Sequence, residues 1–139
     1  MEANGKLFSS LAAIGYGEEN EIRWYCGGSL ITNTYVLTAA HCLLSPDRGP
    51  ARWVLLGTGS LTSGDGLIYP IVRPIAHPDY KPPSKYHDLA LLELGDARPP
   101  KNENVPVFIR PACLPSLSFN QNVTQAIATG WGSTGFGTF

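Results

Sequence analysis

The sequence predicts an all-β domain, and three features predict it. Short apolar runs bounded by Gly, Pro, Asn and Asp recur along the 139 residues, fifteen Gly and twelve Pro are spread through them, and no helical spacers separate the runs. A chain of this length holds one domain and buries a core without metal or many disulfides. Its 43% hydrophobic and 15% charged content is that of a globular protein.

In chain order, residues 11–16, 22–31, 35–38, 52–56, 67–75, 89–94 and 125–131 read as strands. The turns between them are punctuated by Gly15-Tyr16-Gly17, Ser45-Pro46-Asp47, Gly57-Thr58-Gly59 and Ser63-Gly64-Asp65-Gly66. Residues 39–43 form one helical turn, too short to stand alone in water. Many short strands without helical spacers indicate a sandwich or a barrel, and the pattern alone goes no further. Residues 99–115 differ in texture. They hold five prolines, which offer no ladder hydrogen bond, and read as an extended connection leaving the first structural unit. About twenty residues follow, too few for a second core.

The net charge of −1 gives no basis for nucleic-acid recognition, and no polybasic patch suggests a membrane surface. No segment nears the apolar length that spans a bilayer, and Met1–Lys6 lacks the pattern of a signal peptide. That alone points to the cytosol. The cysteines and the sequon Asn122-Val123-Thr124 point outside the cell, and an extracellular parent protein is expected.

Five motifs occur in order. Cys26-Gly27-Gly28-Ser29-Leu30-Ile31 precedes Val36-Leu37-Thr38-Ala39-Ala40-His41-Cys42. Asp88-Leu89-Ala90-Leu91-Leu92-Glu93-Leu94, Arg110-Pro111-Ala112-Cys113-Leu114-Pro115 and Thr129-Gly130-Trp131-Gly132 follow. Together they cover nearly the whole chain and resemble the trypsin-like serine proteases of the chymotrypsin fold. The texture of residues 80–88, with that of 110–113, resembles the arthropod clip-domain branch, whose members act in extracellular zymogen cascades.

The resemblance implies a six-stranded antiparallel Greek-key barrel over residues 8–115. A leader outside the family pattern (1–7) precedes it, and the start of an incomplete second barrel (116–139) follows. It implies that His41 is general base and then general acid, and that Asp88 holds its tautomer and stabilises the imidazolium. The chemistry fits the spacing. A general base needs a third group to fix its orientation. Ala39 and Ala40 let the backbone turn tightly before His41. Asp88 opens an almost wholly apolar stretch, which would draw its carboxylate inward, and a buried carboxylate needs a partner such as the His41 ring N–H.

By resemblance Cys26 bonds Cys42 and pins the turn that bears His41, a closure worth roughly 3 kcal/mol. Cys113 is the third of an odd count. It is a free thiol if alone, and by resemblance it bridges to a pro-segment or clip domain of the parent. Asn122 is an acceptor for N-glycosylation once the chain enters the secretory pathway. His77 and His87 read as surface residues, with His87 on the strand face opposite Asp88. The three histidines lack metal-ligand spacing, and Asp65 is the only acid between Thr58 and Gly66, so neither zinc nor calcium nor any cofactor is expected.

The family's nucleophile motif, Gly-Asp-Ser-Gly-Gly, is absent from the sequence, as is its activation sequence Ile-Val-Gly-Gly. After Asp88 the serines are Ser116, Ser118 and Ser133, none in such a context, and Ser133 reads as a loop residue. The resemblance therefore implies the amino-terminal half of a secreted endopeptidase, cut at both ends and inactive alone. Its partners would be the missing second barrel and the parent's protein or peptide substrates. The alternative is a non-catalytic homologue that binds or regulates. Retention of both His41 and Asp88 speaks against it, since such a protein has no chemical need for either.

Overall fold

Alternating apolar residues in short segments force a strand to present one face inward, and sheet closure then removes exposed edges. The computed structural model describes residues 9–96, 109–116 and 123–132. Among them run β1 (Leu11–Tyr16), β2 (Arg23–Leu30), β3 (Tyr35–Thr38), a 3-10 turn (Ala40–Leu43), β4 (Leu44–Ser45), β5 (Gly49–Leu56), β6 (Leu67–Ala76) and β7 (Ala90–Leu94). Neighbours pair antiparallel in the order β1-β2-β3-β7-β6-β5, and β5 returns to β1, closing a six-stranded barrel. The two-residue β4 pairs only with the start of β5.

Two prolines inside β6 are explained by how it pairs. Leu67–Pro70 bonds β5, whereas Ile71 to Ala76 bonds β7, with a register shift between Ile71 and Arg73. Among the described residues, each half of β6 is thus an edge on one side. Pro70 and Pro74 fall in halves where only one ladder runs, the setting a strand proline tolerates.

The barrel interior is filled by Ala12, Ile14, Tyr16, Leu30, Val36, Ala51, Val54, Leu56, Leu92 and Leu94. In β7 the alternation is complete: Ala90, Leu92 and Leu94 are buried and Leu91 and Glu93 are not. Gly28 is required where β2 meets β3. A Cβ there would lie 2.7 Å from the Leu37 carbonyl oxygen and 2.9 Å from Val36 Cγ1. Residues 109–116 run without secondary structure along the end of β2, tied by Ala112 N–H to Leu30 O at 2.7 Å. They carry Ile109 against the core.

The strands expected at 11–16 and 35–38 have those bounds, and the next four differ by at most three residues at an end. The strand expected at 125–131 does not form: the described residues 123–132 contain none. Gln125 to Trp131 makes no ladder with the barrel, and Trp131 instead donates its indole N–H to Gly59 O at 3.0 Å. The leader at 1–7, Asn122 and Ser133 lie outside the described residues.

Candidate active site

The chain leaves β3 at Thr38, whose hydroxyl donates to Gly27 O on β2 at 2.8 Å. Ala39 stays extended (φ −85°, ψ 143°), and the chain then tightens into the 3-10 turn Ala40–Leu43, with Cys42 N–H bonding Ala39 O at 3.0 Å. A 3-10 turn this short has little stability of its own, so tertiary ties must hold it. Three do. Cys42 is disulfide-bonded to Cys26 on β2, with Cα atoms 6.1 Å apart. From the barrel interior, the hydroxyl of buried Tyr16 donates to the Cys42 carbonyl at 2.5 Å. Burial also pushes the Tyr16 hydroxyl pKa up, so it stays a donor. The third tie is Asp88.

Asp88 comes from the loop between β6 and β7 and meets His41 at two points. Its Oδ2 lies 2.6 Å from ring Nδ1, and its Oδ1 accepts the His41 backbone N–H at 2.8 Å. The ring bond, followed by the backbone bond, holds the Asp88 carboxyl below the usual carboxylate range. An ionised carboxylate only accepts, so Nδ1 must carry a proton, and in the neutral ring Nε2 keeps its lone pair. Contrary to the sequence expectation, Asp88 neither opens the apolar strand nor is enclosed: β7 begins two residues later and the Asp88 side chain is 28% exposed, against 63% for His41. At the barrel rim its oxygens are satisfied by His41 itself rather than by enclosure. An open cavity of about 450 Å³ lies beside the pair, lined by His41, Tyr80, Pro83, Ser84, Lys85 and Asp88.

His87 also departs from expectation. Its φ of 57° takes the chain out of the extended conformation, so strand alternation does not set its direction. Its ring stacks on His77, with centroids 4.8 Å apart. The donor atoms of Cys26, His41 and Cys42 also lie within 4.8 Å of one another, but both sulfurs are committed to the disulfide. Cys113 is an exposed free thiol in this chain. The Tyr16–Cys42 bond was not foreseen. The available signal was a tyrosine inside an apolar strand, since a buried tyrosine hydroxyl usually finds a partner.

With the closed barrel and the His41–Asp88 geometry in place, comparison with known proteins is decisive: the trypsin family model matches residues 2–138. The chain belongs to the trypsin family. Its relatives include the serine protease snk of Drosophila melanogaster, 39% identical over 137 residues, covering 94% of this chain and 30% of snk. Among solved structures, GrC is 28% identical with a TM-score of 0.65, covering 83% of this chain and 47% of the other. The Drosophila Grass clip serine protease of the Toll pathway is 25% identical with a TM-score of 0.62, covering 82% and 34%. This trypsin-family chain thus spans under half the length of each of these relatives. Among the described residues, no helix is long and apolar enough to cross a membrane.

Proposed function

We propose that the chain supplies the general base, His41, and its orienting carboxylate, Asp88, to a secreted serine endopeptidase, and that it is catalytically incomplete by itself. The two-point hold of Asp88 on His41 carries this reading. Fixing both backbone and ring of one residue sets where Nε2 sits. The ionised carboxylate sets which nitrogen takes a proton and stabilises the imidazolium that results. Incompleteness is supported by the absence of Gly-Asp-Ser-Gly-Gly from the 139 residues. Ser84, in the cavity beside His41, accepts the Tyr86 N–H at 3.3 Å and makes no bond to the imidazole. Without a nucleophile, base and carboxylate have no covalent route to peptide hydrolysis.

The Cys26–Cys42 disulfide supports an extracellular setting. Exposed Cys113 is the point at which a pro-segment or clip domain would be bonded, and proteins or peptides are the substrates of the whole enzyme.

Two experiments test the proposal. Recombinant chain is expected neither to cleave peptide esters nor to react with a fluorophosphonate probe. Labelling that disappears on heating would reveal a nucleophile within these residues and overturn the claim of incompleteness. The coding frame beyond Phe139 is expected to encode Gly-Asp-Ser-Gly-Gly. In the resulting enzyme Asp88→Asn should lower kcat by about 10⁴-fold. Gly in place of that Ser would make the protein a non-catalytic homologue that binds or regulates.

A further inference from the structure

Against the sequence expectation of no zinc, which rested on residue spacing alone, we propose that His77, Asp79 and His87 form a binding site for a divalent cation of borderline softness, Zn²⁺ above all, at the base of the loop between β6 and β7. One donor atom from each residue lies within 4.8 Å of the other two. Imidazole and carboxylate together suit Zn²⁺ better than the hard cations Ca²⁺ and Mg²⁺, which favour all-oxygen sets.

The backbone holds this cluster in place. His77 directly follows β6 and donates its N–H to Leu89 O at 2.8 Å, which clamps the two ends of the loop together. Tyr80 N–H returns to His77 O at 3.0 Å, and Leu89 N–H to His87 O at 2.8 Å. The left-handed φ of 57° at His87 lets its ring lie against that of His77, with the planes 19° from parallel. Few residues other than Gly tolerate that conformation, though His and Asn are among those enriched in it.

The donor chemistry is also prepared. His77 Nδ1 accepts the backbone N–H of Asp79 at 3.0 Å, so that lone pair is held by an amide and the neutral ring carries its proton on Nε2. A cation at Nδ1 would displace only that exposed amide, and no proton need leave the ring. Zn–N and Zn–O bonds of about 2.0–2.2 Å in a tetrahedron put donors roughly 3.3–3.6 Å apart. Closing from up to 4.8 Å needs as much as about 1.2–1.5 Å of approach, and because the stacked ring planes lie 19° from parallel, their in-plane lone pairs converge on one cation only when a ring turns out of the stack. His77 is half-buried and Asp79 and His87 are exposed, so they have room to rotate, and water completes the shell.

The test is titration of the recombinant chain with ZnCl₂, read by calorimetry and by the imidazole resonances of the three histidines. Saturable one-to-one uptake is expected, with His77 and His87 shifting together and His41 unmoved. His87→Asn, chosen because Asn accepts the same backbone conformation, should weaken uptake about tenfold or more. His41→Ala should leave uptake unchanged. Absence of heat and of shifts at millimolar Zn²⁺ would overturn the proposal. So would uptake that moves His41 first, or that survives the combined His77→Gln and His87→Asn substitutions. The wild-type ring shifts decide the matter even if a variant fails to fold.

Discussion

Asp88 grips one residue twice, accepting the ring of His41 at 2.6 Å and its backbone N–H at 2.8 Å. The carboxyl titrates below the 3.8 of a free aspartate, chiefly because of the ring bond. A depressed folded-state pKa means the unfolded chain binds the proton first as pH falls. The stabilisation from this pair is therefore complete above about 3.8, and it drains away as pH drops through the lower folded midpoint. Carboxyl-carbon NMR should place the Asp88 midpoint below 3.8, and His41→Ala should raise it while the backbone bond keeps part of the depression. A midpoint unmoved by His41→Ala would show that the ring contact is not the cause.

The same pair sets a tautomer. At neutral pH, ring nitrogen NMR should find the His41 proton on Nδ1, facing Asp88. Asp88→Asn, which can donate as well as accept, should release that preference and populate the Nε2–H form. An unchanged tautomer in the variant would mean that something other than Asp88 orients the ring.

The turn that carries His41 is held from inside the barrel by Tyr16. Tyr16→Phe keeps the ring but leaves the Cys42 carbonyl without its 2.5 Å donor. Chemical denaturation should show a loss of about 1–2 kcal/mol. Hydrogen exchange at the Cys42 amide, bonded to Ala39 O, should quicken more than at the β7 amides.

The disulfide closes a 16-residue separation between β2 and that turn. Replacing Cys26 and Cys42 together by Ser should cost roughly 3 kcal/mol in urea denaturation, largely through the freer unfolded chain. A loss well under 1 kcal/mol would show that the remaining ties suffice.

At Gly28 the obstacle is backbone. A methyl group would meet the Leu37 carbonyl oxygen at 2.7 Å, and β3 is itself pinned between β2 and β7. Gly28→Ala should destabilise the barrel by about 1–3 kcal/mol, whereas Gly27→Ala, whose nearest neighbour would be 3.6 Å away, should cost less. Equal losses at both positions would argue against the steric account.

Short apolar runs and turn residues sufficed to place six barrel strands, because each strand is built around buried apolar side chains and breaks at Gly, Pro, Asn or Asp. His41, Asp88 and the Cys26–Cys42 pair were legible through family motifs, not through spacing alone. Local pattern could not reveal that 125–131 stays out of the sheet, since a strand exists only where a partner ladder meets it. Nor could it reveal that Tyr16 reaches Cys42 across 26 residues of sequence, or that the left-handed turn at His87 sets its ring on His77. Side-chain type, apolar runs and the turn residues between them, written along the chain, determined the class of fold and the chemistry available. Which groups meet was decided by closure of the barrel, because only the closed sheet brings the loop after β6 and the turn after β3 to the same rim.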